Sequence, residues 1–446
     1  MQKLIEKKKD MFNGLRKTSD MVAHVLKMTM DDEEVVETIK HAIDMEDKEA
    51  KISPDLSAQK RNAGNQAFQK KKDQEALNLY SEAVFSSEVV TEDGKKDCSL
   101  ALANRSAVWM KLKKYEECLD DINAAIYFKY PQNMLYKLID RKAKCQVVLG
   151  QVDDAKTSYN RVILLLKQSN LEADKQEVWK KDITTELEKL KTAVNKPLEK
   201  NVGNVFLKSV NKTIPQFSDA VALAYNPLVG RHGTATRDIE VGEVVMVDTS
   251  MSTHLLSGTR LTNCTHCMKT INMTTGKPSP IIVTSRFCCT DCMQMAMDSY
   301  HPVEAKINIE KMFWNKKEEK FEEMSGNILL TYRSITQMPL QFFLDNTSYD
   351  NVDDMFGVEF SNPEEECHYS DYRNLFNLTA HRDRKTKDEL LSLSIRTTIF
   401  LVLLRHGGYF GEKETAFGGA MSAAEVHLCG IIFHIQVSMP CQTNTY

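Results

Sequence analysis

One residue spacing occurs three times between residues 58 and 195, and it constrains the fold more than any other feature of the chain. Gly64, Ala76, Tyr80 and Ala83 form the first copy. Ser106, Cys118, Ile122 and Ala125 form the second, and Ala143, Ala155, Tyr159 and Val162 the third. Each copy runs from a small residue to another small residue twelve positions on, then to a bulky one four further, then to a small or apolar one three further. Two helices packed as a hairpin need that order. Small side chains sit where the backbones approach, and large ones fill the space between them. The copies begin at residues 64, 106 and 143, wider apart than the ~34 residues of the common helical repeat. The excess falls in polar stretches such as Ser86 to Asp97. Three copies are the fewest that bury a continuous core. Leu171, Val178, Ile183, Leu187 and Leu190 follow at near-helical spacing, which predicts a capping helix within residues 171–195.

This is the tetratricopeptide pattern. The inner helices of three such repeats line one concave groove. The groove-facing positions hold Arg61 and Asn65 in the first repeat, Asn104 in the second, and Lys137 and Arg141 in the third. Cations supply charge and amides supply directed hydrogen bonds, so the set suits two closely spaced carboxylates. It resembles the carboxylate clamp of chaperone-binding tetratricopeptide domains, with Arg61 where lysine is more frequent. The resemblance implies that the groove takes the terminal Asp and free carboxylate of EEVD tails on heat-shock chaperones. Lys, Arg and Asn are also common on solvated helix faces, and that reading stands beside the first.

Five of the eleven cysteines crowd between residues 264 and 292. No apolar core follows the lysine-rich Met1 to Asp10, so the N-terminus does not read as a signal peptide. The longest apolar run, Thr398 to Leu404, is far short of the ~20 residues that cross a bilayer. No membrane partner and a cytoplasmic location are therefore expected, with entry to the nucleus left open. A net charge of −4 gives no global field for nucleic acid. In a reducing compartment a clustered set of thiols favours metal over disulfide. Cys264 and Cys267 form a C-x2-C knuckle, and Cys288 and Cys292 a C-x3-C pair. Together they supply the four soft ligands of tetrahedral zinc. Cys289 is an extra thiol, and His266 reads as a surface residue.

The wider stretch, with Phe287-Cys288 and Tyr300-His301, resembles a MYND finger. The resemblance implies eight ligands and two zincs, but three of the second site's cysteines fall on Ser279, Ile282 and Ala305. One zinc is expected, held by Cys264, Cys267, Cys288 and Cys292, with His301 left as a packed or exposed residue. Upstream, the segment from Asn226 through Gly230-Arg231-His232-Gly233 to Val241-Gly242-Glu243-Val244-Val245 resembles the opening of a SET domain. Its β-runs, Val229 to Ile239 and Val241 to Val247, read as hairpins. By that resemblance Arg231, His232 and Gly233 would contact S-adenosylmethionine.

SET opening, finger and helical insert, in that order, after tetratricopeptide repeats, resemble the repeat-bearing subtype of the SET-and-MYND lysine methyltransferases. The implied fold is α+β and multidomain. A polar arm (1–57) precedes an all-α repeat array with its capping helix (58–195). The N-terminal part of a β-rich split SET domain (203–258) is interrupted by a MYND-type zinc finger (264–305), and a helical SET insert follows (306–446). That insert is expected to include Leu391 to Leu404 and Ala423 to Cys441. The implied activity is transfer of a methyl group from S-adenosylmethionine to protein lysines, possible histones among them. The family's N-H-S-C-x-P-N segment and its later tyrosine are not found, so no catalytic residue is assigned. A truncated, inactive form is expected. The alternative is a non-catalytic adaptor or chaperone cofactor working through repeats and finger.

Overall fold

The computed structural model describes residues 54–195, 207–226, 230–248, 250–255, 259–282, 285–306, 314–315, 320–321, 325–346, 385–411 and 422–438, with Glu33 alone before them. The polar arm expected over 1–57 lies almost wholly outside the described residues, as do Val229 and Cys441. The chain forms two compact units. One joins residues 54–195 to the described part of 255–298; the other takes the described parts of 201–254 and 299–446.

The first unit begins with three helical hairpins: α1 (Pro54–Gln69) with α2 (Asp73–Phe85), α3 (Glu92–Lys111) with α4 (Tyr115–Tyr127), and α5 (Leu135–Val148) with α6 (Val152–Leu166). The repeated spacing explains their contacts. Gly64 faces the Tyr80 ring so closely that a Cβ there would lie 2.6 Å from Tyr80 Cε1. In the second hairpin Cys118 Sγ meets Ser106 O at 3.1 Å. Ala76, Ala83, Ile122, Ala125, Ala143, Ala155 and Val162 are all fully buried. Gly64→Ala is expected to cost about 1–3 kcal/mol, because a ring in a filled core must move to admit the methyl group. Urea unfolding checks this, and an unchanged midpoint would show that Tyr80 swings aside freely.

The hairpin turns share a device. Lys71, Lys113 and Gly150 adopt positive φ of 60°, 59° and 73°. The next amide in each case reaches back five residues: Lys72 N to Ala67 O, Lys114 N to Trp109 O and Gln151 N to Gln146 O, at 2.9–3.0 Å. This left-handed stop satisfies carbonyls that a helix end leaves without partners. α7 (Ala173–Lys189) caps the array through buried Ile183 and the Trp179 ring edge on Tyr136. Val178, expected on its apolar stripe, is 60% exposed.

Still in this unit, β3 (Lys277–Pro278) pairs antiparallel with β4 (Arg286–Phe287), and α8 (Thr290–Met297) follows. Met293, Ala296 and Phe287 are fully buried beside them.

The second unit opens with β1 (Val221–Asn226), antiparallel to β2 (Gly230–Ala235), from the pair Val221 and Ala235 to the pair Asn226 and Gly230. The expected strand over 241–247 is not formed. Gly242 turns the chain at φ 82°, and only Met246 makes a bridge, to Phe217. The strand partner of Gly230–Ala235 lies upstream, in a segment whose alanines and leucine gave a weaker β signal. After the short α9 (His301–Ala305) and the β5 (Trp314–Asn315) and β6 (Lys320–Phe321) ribbon come four helices: α10 (Ser325–Thr336), α11 (Leu340–Asn346), α12 (Lys387–His406) and α13 (Ala423–Ser438). α12 starts at a capping box, Thr386 with Glu389. Its apolar residues are buried all round, against Leu428, Ile431, Ile432 and Phe433 of α13. Inside this cluster the Arg405 guanidinium meets Glu425 at 2.7 Å, both almost fully buried. Among the described residues no helix is long and apolar enough to cross a membrane.

Candidate metal centre and peptide groove

The metal centre is built from a knuckle and a helix start. The chain turns back after Cys264: Met268 N donates to Cys264 O, and Cys264 N to Lys269 O. Met268 completes the turn at φ 62°, and Asn263 bridges Thr270. Thr265 N donates to Arg286 O at 2.8 Å, which ties the knuckle to β4. β4 then delivers Cys288, and the first turn of α8 delivers Cys292. The ligand atoms of Cys264, Cys267, Cys288 and Cys292 all lie within 4.8 Å of one another. Cys267 Sγ is 3.5 Å from Cys288 Sγ, which is 3.6 Å from Cys292 Sγ. A disulfide needs about 2.05 Å. Zinc–sulfur bonds of about 2.3 Å in a tetrahedron put sulfurs about 3.8 Å apart. The donor set therefore fits zinc in chemistry and in spacing. Cys288 and Cys292 thiols hydrogen-bond to Cys264 and hold it well below the ordinary thiol range, toward the thiolate that ligation requires.

Cys289 stands next to the cluster, 3.7 Å from Cys288 Sγ. At one lost position of the expected second site, Ser279 Oγ accepts from the amides of Ile281 and Ile282, so a hydroxyl closes the turn there. His301 lies in the other unit, fully buried, its ring edge-on to Tyr300.

The finger is fixed to the repeats by charge that the sequence did not reveal. Arg105 on α3 binds both carboxylate oxygens of Asp121 on α4 at 2.7 Å, and it reaches Gly276 O of the finger at 3.1 Å. Lys277 donates to Asp120, Asp121 and Thr275 O. The side chains of Arg105, Asp121 and Lys277 are at most 1% exposed. Asp120 also caps α8, accepting from Thr290 N at 2.7 Å, while its carbonyl accepts from the Thr290 hydroxyl. Arg286 stacks on Phe85 with 4.4 Å to the ring centroid. Gly276 sits where a Cβ would come within 2.5 Å of Ile271 and 3.0 Å of Phe85. The Asp120-Asp121 dipeptide was the visible signal: two adjacent acids on a helix with one of them on its buried side.

On the inner helices, Asn104 Nδ2 donates to Asn65 Oδ1 at 2.9 Å, and Tyr80 OH donates to the same oxygen at 2.8 Å. Burial pushes the Tyr80 hydroxyl up to about 12, which keeps it a donor. Arg141 donates to Ala103 O and Ser106 Oγ, both at 2.7 Å. Lys137 is exposed, over the Tyr136 ring. Arg61 lies 3.5 Å from Asp97. The amides and Arg141 thus form one hydrogen-bonded seam across α1, α3 and α5. Gly230, Arg231, His232 and Gly233 lie on β2 rather than in a loop, with His232 partly buried and Gly233 exposed.

No protein-family model matches the chain. It is 32% identical over 278 residues to protein-lysine N-methyltransferase SMYD4 of Pongo abelii, 31% identical over 278 residues to that of Homo sapiens, and 30% over 272 to that of Mus musculus. The chain is SMYD4-like. These alignments take in 55% of this chain and 33% of each relative, so it spans about a third of the length of the SMYD4 proteins it matches. Two solved structures are also similar. The Arabidopsis OM64 TPR domain is 20% identical, covering 30% of this chain and 97% of that one at a TM-score of 0.24. The first TPR of Spaghetti (RPAP3), bound to HSP90 peptide SRMEEVD, is 19% identical, covering 31% and 93% at 0.23. The hairpin assignment rests on this chain's own helices.

Proposed function

We propose that this chain is the recruiting portion of an intracellular protein-lysine methyltransferase that uses S-adenosylmethionine. The reading is carried by its similarity to curated lysine methyltransferases. The four-cysteine centre, where the SET-and-MYND resemblance expects a finger, supports it. In this reading Cys264, Cys267, Cys288 and Cys292 hold one structural zinc. Zinc has no open position here, because all four ligands come from the protein. It fixes the finger and takes no part in chemistry.

S-adenosylmethionine would supply an activated methyl on its sulfonium. Arg231, His232 and Gly233 would contribute mainly backbone. Within its sheet β2 has one neighbour, β1, so its second edge is available to a ligand or a further strand. The exposed Gly233 lets such a ligand approach closely. The substrate would be lysine side chains of proteins.

Calorimetry with S-adenosylmethionine tests the cofactor reading. Saturable binding that weakens on Gly233→Val supports it; no binding removes residues 231–233 from a cofactor site.

A second reading, an adaptor for chaperone tails, is favoured by one observation. All five clamp-type residues stand on the inner helices, and the amides are already oriented by Tyr80. The two readings are compatible, since a methyltransferase can be recruited through its repeats. A peptide ending in Glu-Glu-Val-Asp should bind with micromolar affinity, on the order of −8 kcal/mol. Absence of binding by calorimetry would leave the finger and the SET-like hairpin as the functional parts.

A further inference from the structure

Asp97 sits two turns before Asn104 on α3, so the two share a face of the helix. Its carboxylate lies 3.5 Å from Arg61 Nη2. Both side chains are partly sheltered, 28% and 21% exposed. Among the described residues Arg61 Nε is buried without a hydrogen-bond partner. Arg61 therefore has donors in reserve, while one arm of its guanidinium is already turned to a carboxylate of the same chain. Arg141, the other guanidinium of the set, is turned to a backbone carbonyl and a hydroxyl instead. The charge balance along the inner helices is thus three cations against one internal anion.

We propose that Asp97 is an internal competitor for the carboxylate that the groove binds, occupying Arg61 until a terminal acidic peptide displaces it. This rests on the groove reading above. A bound peptide must part Arg61 from Asp97 or place its own carboxylate beside one already present, and like charges so close oppose binding. Asp97 lowers affinity for every anionic tail and so raises the demand on the remaining contacts. Tails that satisfy Asn65, Asn104 and Arg141 together are retained, and tails offering charge alone are rejected.

Calorimetry on the full chain tests this, using a peptide ending in Glu-Glu-Val-Asp as the free acid and as its C-terminal amide. The variant is Asp97→Asn, which keeps the shape and removes the charge; its thermal midpoint confirms folding. The expected result is about fivefold tighter binding of the free acid by the variant, the upper range for one partly exposed ion pair. Binding of the amide should change much less. Equal affinity of the two proteins for the free acid would overturn the competitor role and leave the groove reading intact. Weaker binding by the variant would overturn it too, making Asp97 a positioning residue for Arg61. If neither protein binds either peptide, the groove reading falls, and the role of Asp97 falls with it.

Discussion

Asp121→Ala should destabilise the unit of repeats and finger by about 3–5 kcal/mol, the usual cost of breaking a buried ion pair from one side. Asp121 answers two cations. It accepts both forks of Arg105 at 2.7 Å and faces Lys277 at 3.1 Å. With it gone, Arg105 keeps only neutral acceptors, the Gly276 carbonyl and the Ser81 hydroxyl. Asp120 remains for Lys277, but it already caps α8 and is 23% exposed. Two cations would then share one carboxylate in a site closed to water. Two of the three tryptophans, Trp109 and Trp179, lie in this unit, so fluorescence follows its unfolding. A fall of roughly 10 °C in its midpoint is expected at about 2–4 °C per kcal/mol for a unit of this size. A change of less than 2 °C would mean that water reaches the pair and that the network contributes little.

Metal removal should reach beyond the finger. Elemental analysis is expected to find about one zinc per chain, and Cys264→Ser should abolish it. Structural zinc in small fingers contributes apparent binding energies of about 10–16 kcal/mol, most of it spent in folding the finger. Without metal, the knuckle and the first turn of α8 lose what holds them together. That turn presents Thr290 to Asp120, and the adjoining β3 presents Lys277 to both acids. Chelation should therefore lower the repeat transition as well, by about 10 °C, where an independent finger would leave it unchanged. No zinc would end the four-thiolate assignment. Zinc present with an unmoved repeat transition would retain the assignment and end the energetic coupling.

The hairpins were legible because their packing needs a fixed order of sizes. Gly64, Ser106 and Ala143 could be found by spacing alone. Their turns were hidden, since only Gly150 carries the residue that positive φ favours, while Lys71 and Lys113 do the same work in disguise. The thiol cluster was legible because zinc restricts both ligand type and interval. The β-region misled because Val241 to Val247 has strand composition without a strand partner. Propensity does not report what lies alongside. The charge network was invisible for a different reason. Arg105 and Gly276 are 171 positions apart, and no local pattern links an arginine in a helix to a carbonyl in a finger. Asp97 escaped notice because an acid among basic residues reads as ordinary surface.

Asn104 and Arg105 are consecutive, yet one joins the seam with Asn65 and the other is buried against Asp121 and the finger's backbone. A single helix is thereby a party wall between two rooms. A repeat fragment cut at residue 195 would leave that wall standing bare, with Phe85 uncovered and the Asp120 carboxylate stripped of its lysine. Peptide affinities measured on such a fragment would describe a different object, and the smallest faithful specimen of the groove must carry residues 255–298 with it.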